Sequence, residues 1–90
     1  MQTVYKYQLS QNRETQVELP KGAEILKVDV QNDTICLWAK VNPDKKKKEA
    51  RTFEVFGTGH PMPDFERRFL NTFFVQGGTY VFHAFERIYS

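Results

Sequence analysis

The sequence predicts one small all-β domain of about seven mainly antiparallel strands, arranged as a compact sandwich or a partly closed barrel. Three observations carry that expectation. Apolar residues recur with period two along most of the chain, as they do where one face of a strand meets a core. Aromatic residues make up 14% of the chain and supply large apolar area per position. Glycine, proline, asparagine and aspartate fall between the apolar runs at short intervals, where turns are needed.

Element by element, Thr3 to Leu9 reads as a first strand through Val4, Tyr5, Tyr7 and Leu9. Ser10 to Glu14 is polar, with Asn12 as a turn residue. Thr15 to Leu19 puts Val17 and Leu19 on one side, and Pro20-Lys21-Gly22 ends the run. Glu24 to Gln31 alternates Leu26, Val28 and Val30 with Lys27, Asp29 and Gln31, the clearest half-buried strand in the chain. Asn32-Asp33 is a two-residue hairpin turn, because both side chains tolerate positive φ. Thr34 to Val41 follows, with Ile35, Leu37, Ala39 and Val41 opposed to Cys36, Trp38 and Lys40.

Asn42-Pro43-Asp44 opens a loop through Lys45, Lys46, Lys47 and Lys48, a run whose self-repulsion predicts a mobile, solvated tip. Arg51 to Phe56 resumes strand alternation and runs into Gly57-Thr58-Gly59-His60-Pro61. Asp64 to Arg68 has room for one short helical turn capped by Asp64. Arg68 to Gln76 is apolar on both faces, with Phe69, Phe73 and Val75 opposed to Leu70 and Phe74. Gln76-Gly77-Gly78-Thr79 is the strongest hairpin signal, and Tyr80 to Ile88 is the last strand. Because the last two strands carry apolar residues on both faces, both are expected to lie centrally in the sheet or between layers.

Ninety residues form a single domain, 1–90, with a thin stability margin that self-association would widen. A net charge of +2 lacks the clustered basic excess of a duplex-binding protein. The single cysteine, Cys36, excludes an internal disulfide framework. No apolar run has the length of a membrane helix, and Met1 to Lys6 lacks the apolar core of a signal peptide. These features predict a protein of the reducing cytoplasm.

The chemistry-bearing residues centre on Gly57 to Pro61. Two glycines at the end of a strand let a backbone approach a ligand and offer it N–H groups. Thr58 adds a hydroxyl and His60 an imidazole. The loop lacks the Gly-Lys-Ser/Thr of a Walker loop and the helix that loop opens. His60 and His83 are the only histidines, too few for a zinc site, and no serine or cysteine is marked as a nucleophile. Trp38, His83 and Arg51 are the candidate remainder of a shared pocket wall. No cofactor is expected.

Several blocks carry a resemblance. They are Leu19-Pro20-Lys21-Gly22-Ala23, Cys36-Leu37-Trp38-Ala39, Arg51-Thr52-Phe53, Phe56-Gly57-Thr58-Gly59-His60-Pro61, Thr72-Phe73, Gly77-Gly78 and Val81-Phe82-His83-Ala84-Phe85-Glu86. Together they resemble a family of small phage and prophage proteins. The resemblance implies a phage-encoded accessory protein acting in the host bacterial cytoplasm. On that basis the expected function is non-enzymatic counter-defence. The protein would sequester an anionic, nucleotide-like immune signal or block a host defence protein, with Gly57, Thr58, Gly59, His60, Trp38, His83 and Arg51 as ligand contacts. A virion structural or assembly protein is the first alternative. A small nucleotide-processing enzyme using His60 or His83 is the second.

Overall fold

The computed structural model describes residues 1–11 and 13–88. Among them are seven strands and no helix: β1 (Thr3–Gln8), β2 (Glu14–Pro20), β3 (Glu24–Gln31), β4 (Thr34–Val41), β5 (Lys48–Gly57), β6 (Arg67–Val75) and β7 (Tyr80–Arg87). Every pairing is antiparallel. One sheet has three strands in the order β1-β4-β3, and the other has four in the order β2-β5-β7-β6. The sheets stack as an open sandwich and do not close into a barrel.

The core lies between the layers. Val28 from β3 and Leu37, Ala39 and Val41 from β4 meet Leu19, Phe53, Phe73 and Ala84 from the larger sheet. Their sequence alternation follows from this: away from the register shifts in β3 and β6, each strand sends every second side chain inward, and the inward set is mainly apolar. Asn32 and Asp33 have φ of 51° and 61°, the two consecutive positive values of a type I′ hairpin between β3 and β4.

One long side of the sandwich is joined by a single side chain. Edge strand β6 lies against edge strand β3. There the Asn71 carboxamide stands in for a neighbouring strand: Nδ2 donates to the Val28 carbonyl at 2.7 Å, and the Val28 N–H donates to Oδ1 at 2.8 Å. A register shift between Phe69 and Asn71 provides this placement by interrupting the β6–β7 ladder at Leu70.

Five expectations need correction. Leu26 does not face the core with Val28 and Val30: the β3–β4 register shifts between Ile25 and Lys27, leaving Leu26 47% exposed while Ile25 packs against the core. The helical turn at 64–68 does not form: Glu66 already accepts the Ile88 N–H at 2.9 Å, and Arg67 and Arg68 belong to β6. Strand pairing with β7 thus begins where the helix would. Of the last two strands only β7 is central in its sheet; β6, bulged at Leu70, lies at the edge. The same bulge separates Phe69 from Phe73, sending Phe69 to the outer face opposite Phe85 while Phe73 enters the core. The lysine run is partly ordered: Lys48 opens β5 opposite Pro20, and the Lys47 carbonyl accepts the Lys21 N–H at 3.0 Å. The Asn12 turn lies outside the described residues.

Candidate functional site

The glycine-histidine loop is a type II turn. The His60 N–H donates to the Gly57 carbonyl at 3.0 Å, and Gly59, at the third position, has φ of +85°. Thr58 is pinned through its N–H to the Val81 carbonyl at 3.1 Å. Two of the loop's N–H groups are therefore engaged within the protein.

Gly57 has a separate reason to be glycine. The His60 imidazole folds back over it so closely that a Cβ would lie 2.8 Å from the ring's Cε1 and 2.9 Å from Nδ1. Gly59→Ala is accordingly expected to lower folding stability by about 1–2 kcal/mol, since an L-residue is strained at that φ. Equilibrium urea denaturation of the variant against the parent chain measures it.

Folded this way, His60 stands at the mouth of a cleft of about 950 Å³ between the two sheets. Val30, Ile35, Val55, Val75 and Phe82 supply apolar walls, and Gln11, Arg13, Asp33 and Gln76 supply polar groups. The Arg13 guanidinium also lies over the Phe56 ring, 5.2 Å from its centre.

His83 lies elsewhere. It points from β7 to the outer face of the four-stranded sheet, because its neighbours Phe82 and Ala84 point inward. Its ring is held between two hydroxyls, with Nε2 2.8 Å from Thr58 Oγ1 and Nδ1 2.9 Å from Thr72 Oγ1. In a neutral ring one nitrogen donates and the other accepts, so the two threonines play opposite roles. This chain ties the turn after β5 across β7 to β6.

The remaining predicted residues are separated from both. Arg51 binds Glu86 through two nitrogens, at 2.5 and 2.8 Å, and donates to the Ala23 carbonyl at 2.7 Å. It lies six positions along β5 from Gly57, roughly 20 Å at strand rise. Trp38 pairs with Lys6 and Lys27 and faces away from the core, on the outside of the three-stranded sheet. Thus His60 and Gly57 meet at the cleft, Thr58 and His83 meet on the outer face, and Trp38 and Arg51 join neither.

Sequence reasoning missed a buried ionic cluster on that outer face. The Glu54 side chain, 3% exposed, accepts from Arg67 Nε at 2.7 Å and from Arg87 Nη2 at 2.7 Å. Burial alone would raise the Glu54 pKa. The hydrogen bonds and charges of Arg87 and Arg67 outweigh it and hold the carboxyl below its ordinary range. Arg67 also stacks on Phe56 and Phe65, and Arg87 on Phe65. A Glu-Val-Phe run inside a strand is the one local hint, since an acid there sits between apolar neighbours.

Among the described residues, no group of three or more His, Cys, Asp or Glu side chains could hold a metal ion. No helix is long and apolar enough to cross a membrane. No curated protein and no solved structure matches the chain. With residues 1–90 matched by the family model of a domain of unknown function, DUF7352, the chain belongs to that family.

Proposed function

We propose that this is a phage-encoded accessory protein that binds a small nucleotide-like anion, without transforming it, in the cleft beside His60. The cleft itself carries the reading. Its volume of about 950 Å³ lies within the roughly 300–1,000 Å³ of small-molecule sites. Its composition also fits, with apolar walls for a base and a few polar groups at the rim.

His60 offers a ring nitrogen to an anion at the rim, and the Arg13 guanidinium, stacked on Phe56, attracts it at longer range. Asp33 and Gln76 offer acceptors and donors for a sugar or a base edge. Val30, Ile35, Val55 and Phe82 exclude water from the ring. Resemblance to small phage proteins supports the biological form of the proposal, sequestration of a nucleotide immune signal in the host cytoplasm.

Calorimetry of the purified chain against a panel of cyclic di- and trinucleotides tests the proposal. At least one member is expected to bind. His60→Ala should weaken that binding by about tenfold or more, the usual effect of losing a central polar contact. Trp38→Ala should leave it unchanged. Absence of heat with every member would overturn the reading.

A further inference from the structure

We propose that the outer face of the four-stranded sheet is a twofold interface with a second copy of this chain. The face is apolar where it is open. Phe69 and Phe74 on β6 are 57% and 63% exposed, large values for phenylalanines in the middle of a strand. Phe69 packs edge-on against the half-buried Phe85, so the surface continues from β6 onto β7, while Phe56 beyond it is buried. Phe69, Phe74 and Phe85 all lie outside the main core.

The pattern of the face favours a second copy over another partner. Reading across β6 and β7, the register gives an apolar row, Phe69–Phe85, a polar row, Thr72–His83, and a second apolar row, Phe74–Val81. A twofold axis through the middle row lays each apolar row on the other. It also brings the arginine-bearing end at Arg67 and Arg87 against the uncharged turn Gln76-Gly77-Gly78-Thr79. No like charges meet. Self-complementarity of this kind is what a twofold contact between identical chains requires.

The middle row can be covered without cost in unmade hydrogen bonds. His83 already uses both ring nitrogens on Thr58 and Thr72, so drying the row strands none of them. A phosphate or nucleic-acid partner would instead need free donors there.

The chain as a whole also exposes more surface than its mass predicts. A chain of 10.6 kDa exposes about 5,500 Å² when it folds as an ordinary compact monomer. This chain exposes 6182 Å², the direction expected of a subunit that covers surface by association.

Sedimentation equilibrium of the full chain tests the proposal, with a dimer of twice 10.6 kDa as the expected species. Phe69→Glu, at a position outside the cleft, should raise the dimer dissociation constant at least about a hundredfold, because a carboxylate would be buried unpaired. Its far-UV circular dichroism should be unchanged. Thr72→Cys, next to the axis, should cross-link between chains with a short bis-maleimide, since facing sheets lie about 10 Å apart, too far for a direct disulfide. Gln16→Cys on β2 of the same sheet should not, and the native Cys36 is buried. A chain that stays monomeric at every concentration overturns the proposal. So does a dimer that Phe69→Glu leaves as tight, or equal cross-linking by the two cysteine variants. Nucleotide binding in the monomeric variant would be retained, which separates this test from that of the cleft.

Discussion

Glu54→Gln is expected to destabilise the fold by about 3–5 kcal/mol at neutral pH, the usual effect of removing one partner from a buried ion pair. The substitution keeps the shape of the side chain and removes its charge. It leaves two guanidinium groups crowded against Phe56 and Phe65 without their central counter-charge. Glu14, the other carboxylate on Arg87, is 52% exposed and compensates little.

The pH dependence has a definite sign. Because the folded-state pKa of Glu54 is depressed, its contribution is complete above the ordinary carboxylate range. It is lost as pH falls through the depressed folded value. Urea denaturation at neutral and acid pH should therefore show the parent chain losing stability on acidification. The variant should lack that component. A loss below about 1 kcal/mol at neutral pH would mean the cluster is stabilised by its aromatic lids rather than by charge.

Asn71→Leu is the second substitution with a large expected effect. It removes one side chain and two hydrogen bonds, leaving the N–H and C=O of Val28 unmatched at a residue with 0% exposure. Each orphaned buried group costs about 1–3 kcal/mol, so the pair should cost about 2–6 kcal/mol. Leucine has a similar volume, which keeps cavity effects small. Denaturation measures the loss, and hydrogen exchange locates it. The Val28 amide should exchange much faster in the variant, while amides in β5 should shift only by the global loss of stability. Uniform acceleration would assign Asn71 a general packing role instead of a bridging one.

Local patterning made most of the fold legible. The β3–β4 hairpin could be read from Val28 to Val41 because its turn is two residues long and its alternation is clean there; the register shift between Ile25 and Lys27 was not legible, and it leaves Leu26 exposed. The Gln76 to Thr79 turn was equally plain. β6 was harder, since a bulge inverts the alternation within it. Phe69 and Phe73 look like residues of one face, and the register shift places them on two.

The candidate site was legible only in pieces. Alternation reports which face of its own strand a residue occupies, but not which other strands share that face. Trp38 and His83 both lie opposite an apolar stripe, yet they belong to different sheets. Gly57 and Gly59 were read as room for a ligand. Their space is taken by the His60 ring and by the turn itself, and only the packed structure displays that. Asn71 gave no local signal because its partner, Val28, is 43 residues away in the chain.

The strand order has a consequence for synthesis. β5 and β6 have no common neighbour until β7 enters between them, and β7 is the last of the seven strands to leave the ribosome. A nascent chain ending before Tyr80 can pair β3 with β4 and β2 with β5, but it holds β6 by little beyond the Asn71 bridge. Through that interval the phenylalanines of β6 and an unfilled slot beside β5 are open to solvent and to other chains, a state prone to mispairing. Completion of the larger sheet is thus a late, long-range step that waits for the C-terminal strand.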